Sequence, residues 1–397
     1  MESLKTSLLA LGLSEGKASK ITRQILNDLA KYQPEQCWQL VSKTITKYPF
    51  PVQLAVYKAI YPHYEKMPAP AWFPNWPLMK STNIARLMAE KGMRDYQHDY
   101  RAFHHWTTTH SGDFWQKIAA LLNIQFDNHY SAPVDLTKGI ENPVWFPGAK
   151  LNIVNSCLQA KKNKIAIISQ TENSRIKKIT YEELDKLSNR VANSLSRRIA
   201  RGDYVAIVMP MVAESVAIFL GIIKAGGIVV AIPDSFSSEE LATRLKISNA
   251  KIVFCQDHVI RAGKALPLYQ RLLDAAAPQT IVVPAENKLT LQLRGQDIEW
   301  DSFLATDDVF MPVSATPQDH INILFSSGTT GEPKIIPWTH ITPLKCASDA
   351  YFHHNLQADN IFCWPTNLGW MMGPWLIFAC LLNKATMALF GGSPNTK

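Results

Sequence analysis

Residues 204–232 read YVAIVMPMVAESVAIFLGIIKAGGIVVAI. Residues 204–209 and 228–232 are short, β-branched apolar runs, and between them lies an apolar stretch of helical length, 213–224. Gly226-Gly227 sits where that helix must end, because glycine takes the left-handed conformation of a C-cap without steric cost. Strand, helix and strand joined by short turns make a crossover unit. Continuously apolar strands fit a parallel sheet covered on both faces. The pattern therefore predicts an α/β protein with mostly parallel sheets and flanking helices.

The same alternation extends both ways. Upstream, 164–168 is a strand pattern. Thr180 then opens a helix, with Glu183 placed for a capping box and Leu184, Leu187, Val191 and Leu195 at helical spacing. Gly202-Asp203 turns the chain into the next strand. Downstream, a helix over 238–248 leads to strands at 251–255 and 280–283. The composition changes near Asn142-Pro143. Before it the chain reads as helical, with Leu26, Leu29, Trp38, Leu40 and Val41 recurring in polar surroundings and a further helix around 114–122. Pro68, Pro70, Pro74 and Pro77 predict a loop between the helical stretches.

Composition bounds what such a chain does. Its 397 residues suggest two or three domains at roughly 150 residues each. Hydrophobic residues make up 47% and charged residues 19%, which excludes bulk disorder. The formal charge of +8 suits small polyanionic ligands but is too dilute for a nucleic-acid binder. The six cysteines lack a C-x-x-C pair and fit a reducing, cytoplasmic setting as small apolar residues. The histidines at 98, 104, 105 and 110 have no zinc-site spacing, so no metal site is expected. The uncharged stretch 360–383 is broken by Pro365 and Pro374 and reads as a buried helix rather than a membrane span.

The segment with chemistry in it is Ile321-Asn322-Ile323-Leu324-Phe325-Ser326-Ser327-Gly328-Thr329-Thr330-Gly331-Glu332-Pro333-Lys334. A strand runs into a loop of hydroxyls, glycines and one lysine. Glycines let backbone N–H groups turn toward an anion, hydroxyls add donors and lysine adds mobile positive charge. The glycine spacing excludes a Walker A loop. Taken alone, the composition also fits an ordinary Ser/Thr/Gly-rich turn.

The full run Ser-Ser-Gly-Thr-Thr-Gly-x-Pro-Lys resembles the phosphate loop of the adenylate-forming enzymes, the superfamily of acyl-CoA synthetases, adenylation domains and luciferases. Residues 145–152, WFPGAKLN, are similar to the segment that opens the main domain of acetyl-CoA synthetases, and 100–122 to their N-terminal extension. Residues 364–375, WPTNLGWMMGPW, are similar to the plant-type probable acyl-activating enzymes. The likeness covers 94–397 well and 1–93 more weakly. It implies three parts: a helical N-terminal region (1–93), an acetyl-CoA synthetase-type extension (94–150) and a partial AMP-binding domain (151–397). It also implies an acid–thiol ligase. A small carboxylic acid and ATP would give an acyl-adenylate, which CoA would convert to a thioester with Mg²⁺ sharing the phosphate charge.

Residue by residue, the resemblance gives Ser326, Ser327, Gly328, Thr329, Thr330, Gly331 and Lys334 to the ATP phosphates, with Thr329, Thr330 and Lys334 as the catalytic donors. Trp370, Met371 and Met372 match the acyl-pocket segment; the acetate enzymes have a small polar residue where Met372 stands. Arg261 and Lys264 would meet the CoA 3′-phosphate, and Asn395 would also contact CoA. Pro233-Asp234-Ser235 replace an aromatic and two glycines there, and Asp234 is poor company for a phosphate. The family's adenine, ribose and lid elements have no counterpart, so the chain reads as an N-terminal portion, inactive alone, with the remainder downstream or separately encoded. The competing expectation is a non-catalytic nucleotide- or CoA-binding protein derived from a degraded synthetase.

Overall fold

A computed structural model describes residues 2–63, 69–71, 76–96, 98–172, 174–286, 288–289, 291–326 and 331–393. The chain divides into two compact units, Met1–Ser81 and Thr82–Lys397. In the first, helices Glu2–Ala10, Glu15–Leu29, Pro34–Ile45 and Phe50–Ile60 enclose Leu8, Ile25, Trp38, Val41, Ile45 and Val56. Leu26 and Leu40 face solvent instead, since the buried stripes run through Ile21–Ile25 and Cys37–Val41. Pro77 lies in the first turn of a short helix, Trp76–Lys80, where a missing N–H costs nothing. Pro68 and Pro74 lie outside the described residues.

The second unit carries the strands. In chain order they are β1 (Val134–Asp135), β2 (Val144–Trp145), β3 (Ile165–Gln170), β4 (Lys177–Thr180), β5 (Tyr204–Val208), β6 (Ile228–Ala231), β7 (Ile252–Gln256), β8 (Val259–Arg261), β9 (Lys264–Leu266), β10 (Gln279–Val283), β11 (Ile298–Glu299), β12 (His320–Phe325), β13 (Ile335–Thr339), β14 (Ile361–Cys363) and β15 (Thr386–Phe390). A seven-stranded sheet has the order β11-β10-β7-β5-β6-β12-β13. All its neighbours are parallel except β12 and β13. A four-stranded sheet, β14-β15-β3-β4, is parallel from β14 to β3.

Strand periodicity explains the layering. Val205 and Ile207 of β5 enter one hydrophobic core, while Ala206 and Val208 enter the other. Both faces are therefore covered, as the uninterrupted apolar runs required. Helices Tyr181–Leu195, Ala213–Lys224 and Met372–Leu382 pack in the larger core; Ser238–Ser248 and Leu268–Asp274 cover the opposite face. The Thr180 capping box forms, with Thr180 N–H donating to Glu183 Oε2 at 2.7 Å and Glu183 N–H to Thr180 Oγ1 at 3.1 Å. Gly226 has φ +80° just beyond Ala213–Lys224, as the C-cap reading demanded.

Lys224 turns inward at the end of its helix. Its ammonium donates to Asp185 Oδ1 (2.5 Å), Ser188 Oγ (2.8 Å) and Asn189 Oδ1 (2.6 Å). A buried cation is tolerable here because every donor meets an oxygen. Five of the six cysteines are buried and all are unpaired; Cys363 is exposed. Among the described residues no helix is long and apolar enough to cross a membrane.

His340 yields a pH prediction. It is buried, and its Nδ1 accepts the Ile153 N–H at 3.2 Å. Burial lowers its pKa to about 4, with Asp319 opposing and Arg201 assisting. The folded state thus resists a proton that the unfolded chain takes up near 6.5. The stabilisation is complete above that value and is lost as pH falls toward 4. Between about pH 7.5 and about pH 5 the second unit should lose about 2 kcal/mol through this group. Urea unfolding of the wild type and His340→Asn at both pH values measures it: the variant should lack this part of the slope.

Candidate active site

Parallel strands place their carboxyl ends along one edge. β7, β5, β6 and β12 are consecutive parallel neighbours, so Gln256, Val208, Ala231 and Phe325 all end there. From β5 the chain crosses to β6 on one side, and from β6 it returns to β7 on the other. In sheets with such a reversal, ligands usually bind outside these carboxyl ends. The Ser326–Lys334 segment leaves β12 at that edge and returns as β13. Ser326 N–H donates to the Lys334 carbonyl (2.9 Å) and Lys334 N–H to Ser326 Oγ (3.3 Å). These two bonds close the neck of the loop. Gly331 has φ +106°, and both it and Lys334 are exposed. Ser327, Gly328, Thr329 and Thr330 lie outside the described residues.

The segment following β14 crosses the ends of β5 and β6. Asn367 Nδ2 donates to the Met209 carbonyl and to Asp234 Oδ1, both at 3.1 Å, and its Oδ1 accepts the Gly369 N–H at 2.9 Å. One buried amide thus joins the ends of β5 and β6 to the strand-to-helix segment of the other sheet. Gly369 permits that approach: a Cβ there would sit 2.1 Å from the Pro233 nitrogen. Trp370 packs edge-on against Phe236 at 5.9 Å. Trp370 and Met371 are 52% and 58% exposed, whereas Met372 packs on the core at the start of Met372–Leu382. The structure therefore separates the three acyl-pocket candidates into two at the surface and one turned inward. The Arg244 guanidinium covers the Phe236 ring at 4.1 Å and reaches toward Phe325 at 5.7 Å.

Arg261 and Lys264 flank the tip of the β8–β9 hairpin, where Ala262 and Gly263 have φ +50° and +72°. The spacing brings them to one turn, but Arg261 is already engaged. Its Nη2 donates to Asp234 Oδ2 (3.0 Å) and its Nη1 to the Gly391 carbonyl (2.8 Å). Lys264 is exposed. Burial pushes the Asp234 pKa up, while Arg261 and Arg271 pull it back. Glu172, at the end of β3, accepts N–H groups from Ala262 (2.8 Å), Gly263 (2.9 Å) and Ser393 (2.6 Å). Those amides, Gly263 first, hold its pKa below the ordinary value. Asn395 lies outside the described residues. The sequence reading did not single out Asn367, Arg244 or Glu172. Asp234, Asn367 and Glu172 each follow a strand end, which is a usable signal, while Arg244 lies within a helix and carries none.

The family model described as AMP-binding enzyme matches residues 155–397, and that of the acetyl-coenzyme A synthetase N-terminus matches 100–157. The chain is 37% identical to the probable acyl-activating enzyme 18, peroxisomal, of Arabidopsis thaliana, over 94% of this chain and 55% of that protein. It is 35% identical to a hexanoyl-CoA synthase of Cannabis sativa, over 98% and 58% respectively. Its fold matches an acetoacetyl-CoA synthetase from Streptomyces lividans with a TM-score of 0.75 at 23% identity, covering 82% of this chain and 52% of that one. The chain thus spans about half the length of the curated relatives it matches.

The Gly369 contact is directly testable. Gly369→Ala forces the new methyl into Pro233 and Ile232. Overpacking of this kind should destabilise the second unit by about 1–3 kcal/mol. It should also displace Trp370 from Phe236, seen as a shifted urea midpoint and altered tryptophan emission.

Proposed function

Because the chain belongs to the AMP-binding enzyme family, we propose that it is the nucleotide-loop portion of an ATP-dependent acyl-CoA synthetase. A carboxylate oxygen attacks the α-phosphorus of ATP, releasing pyrophosphate and forming an acyl-adenylate. The CoA sulfur then attacks the acyl carbon, releasing AMP and leaving the thioester. The observation that carries the reading is the hairpin loop Ser326–Lys334, opened by β12 at the carboxyl edge of a parallel sheet beside the Asn367 crossing.

In this reading Ser326, Ser327, Gly328, Thr329, Thr330, Gly331 and Lys334 receive the β- and γ-phosphates. Thr329, Thr330 and Lys334 donate to charge that builds on the departing pyrophosphate. Trp370, Met371 and Met372 border the acid, Trp370 braced by Phe236. Arg261, Lys264 and Asn395 border CoA. Catalysis is then positioning and electrostatics rather than covalent chemistry by a side chain. Mg²⁺ would share the phosphate charge with these donors, and no step is assigned to it. The domain division at 1–93, 94–150 and 151–397 belongs to this proposal, as does a reducing compartment; the name of one relative places that protein in the peroxisome.

Two measurements test it. Calorimetry of the 397-residue chain should show saturable Mg-ATP binding, weakened about tenfold by Lys334→Ala, the loss of one charge-assisted contact. In the longest reading frame that contains the chain, acid-dependent exchange of pyrophosphate into ATP should fall at least about tenfold in Thr330→Ala and Lys334→Ala. Unchanged exchange in both variants would falsify the phosphate role.

A further inference from the structure

The turn assigned above to the CoA 3′-phosphate is electrically occupied by the chain itself. Its cations are Arg261 and Lys264. Against them stand two carboxylates, Asp234 at 3.0 Å from Arg261 and Glu172 on the turn's own amides. Neither carboxylate is free to swing away. Asp234 is buried and its second oxygen is held by Asn367, while Glu172 is gripped by three N–H donors. Arg271, the further cation that acts on Asp234, is turned to the Phe236 carbonyl at 2.8 Å. The Ala262-Gly263 amides, with positive φ at both residues, form a concave anion nest, and a carboxylate already fills it.

A phosphate monoester brings a charge of about −1.5 to −2 at neutral pH. To use Arg261 it must share a guanidinium with a fixed carboxylate. To use the turn amides it must displace Glu172. Each gain is offset by like-charge repulsion or by a lost charge-assisted bond. Lys264 alone presents an exposed cation at the turn.

We propose that Asp234 and Glu172 remove discrimination for the 3′-phosphate at this turn, so that the chain takes a pantetheine thiol lacking that group as readily as CoA. The inference rests on the turn being the CoA site. Asp234 and Glu172 are then specificity-determining residues, acting by neutralising the donors that would otherwise select the phosphate.

Dephospho-CoA is the probe. Calorimetric titration of the 397-residue chain with CoA and with dephospho-CoA should give dissociation constants within about threefold of each other. Asp234→Asn keeps the shape and removes the negative charge against Arg261, so it should raise the preference for CoA to about tenfold or more. Glu172→Gln, at a half-buried position outside the hydrophobic cores, should move the ratio the same way. A wild-type preference for CoA of about tenfold or more, or ratios unchanged in both variants, overturns the inference and leaves the CoA site standing. Binding of neither ligand removes the CoA site itself, and the inference with it.

Discussion

The side-chain amide of Asn367 holds together what the sheets alone would leave apart. Parallel strands end with backbone groups that no neighbouring strand satisfies, and a ligand crevice at those ends exists only if something fixes its walls. Here β5, β6 and the segment following β14 come from two different sheets. Asn367 satisfies the Met209 carbonyl, orients Asp234 and receives the Gly369 N–H in one buried position. The orientation then passes outward. Asp234 fixes Arg261, Arg261 reaches the Gly391 carbonyl, and the β8–β9 turn is held against the end of β3 by Glu172.

Low dielectric makes this arrangement stiff. A buried asparagine or aspartate that lost a partner would carry the full desolvation cost of the orphaned atom, about 1–3 kcal/mol or more. The network is therefore stable in one geometry and penalised in others, which suits a wall against which a reactant must be aligned. Lys224 illustrates the same rule away from those strand ends: three oxygens replace its hydration and clamp helix Ala213–Lys224 to Tyr181–Leu195. Gly369 supplies the steric half, since only a residue without a side chain lets the segment lie on Pro233.

Much of the scaffold was legible because it depends on local periodicity. The runs at 204–209 and 228–232, the Thr180–Glu183 box and the glycine at 226 each encode their element in a few adjacent residues, and the elements form as read. Leu26 and Leu40 show the limit: apolar residues recur there, but the buried stripe is chosen by what each helix packs against. The candidate site was marked only where a contiguous motif stands, as in the strand-to-loop run into Ser326–Lys334. Asp234, Asn367 and Glu172 are separated by more than sixty residues from one another, and no local pattern announces that Asn367 meets Asp234, that Asp234 meets Arg261 or that Glu172 meets the Ala262-Gly263 amides.

That separation bears on what a pair of basic residues in sequence signifies. Arg261 and Lys264 are a phosphate clamp by resemblance, and the hairpin does present them on one turn. A clamp, however, is defined by the net field at the ligand rather than by its cations. Asp234 enters from the end of β6 and Glu172 from the end of β3, each fixed by bonds that have nothing to do with a ligand. The same amides and guanidinium that would receive a phosphate therefore serve as internal struts. Rigidity and anion affinity draw on one set of donors, and at this turn the fold has assigned that set to rigidity.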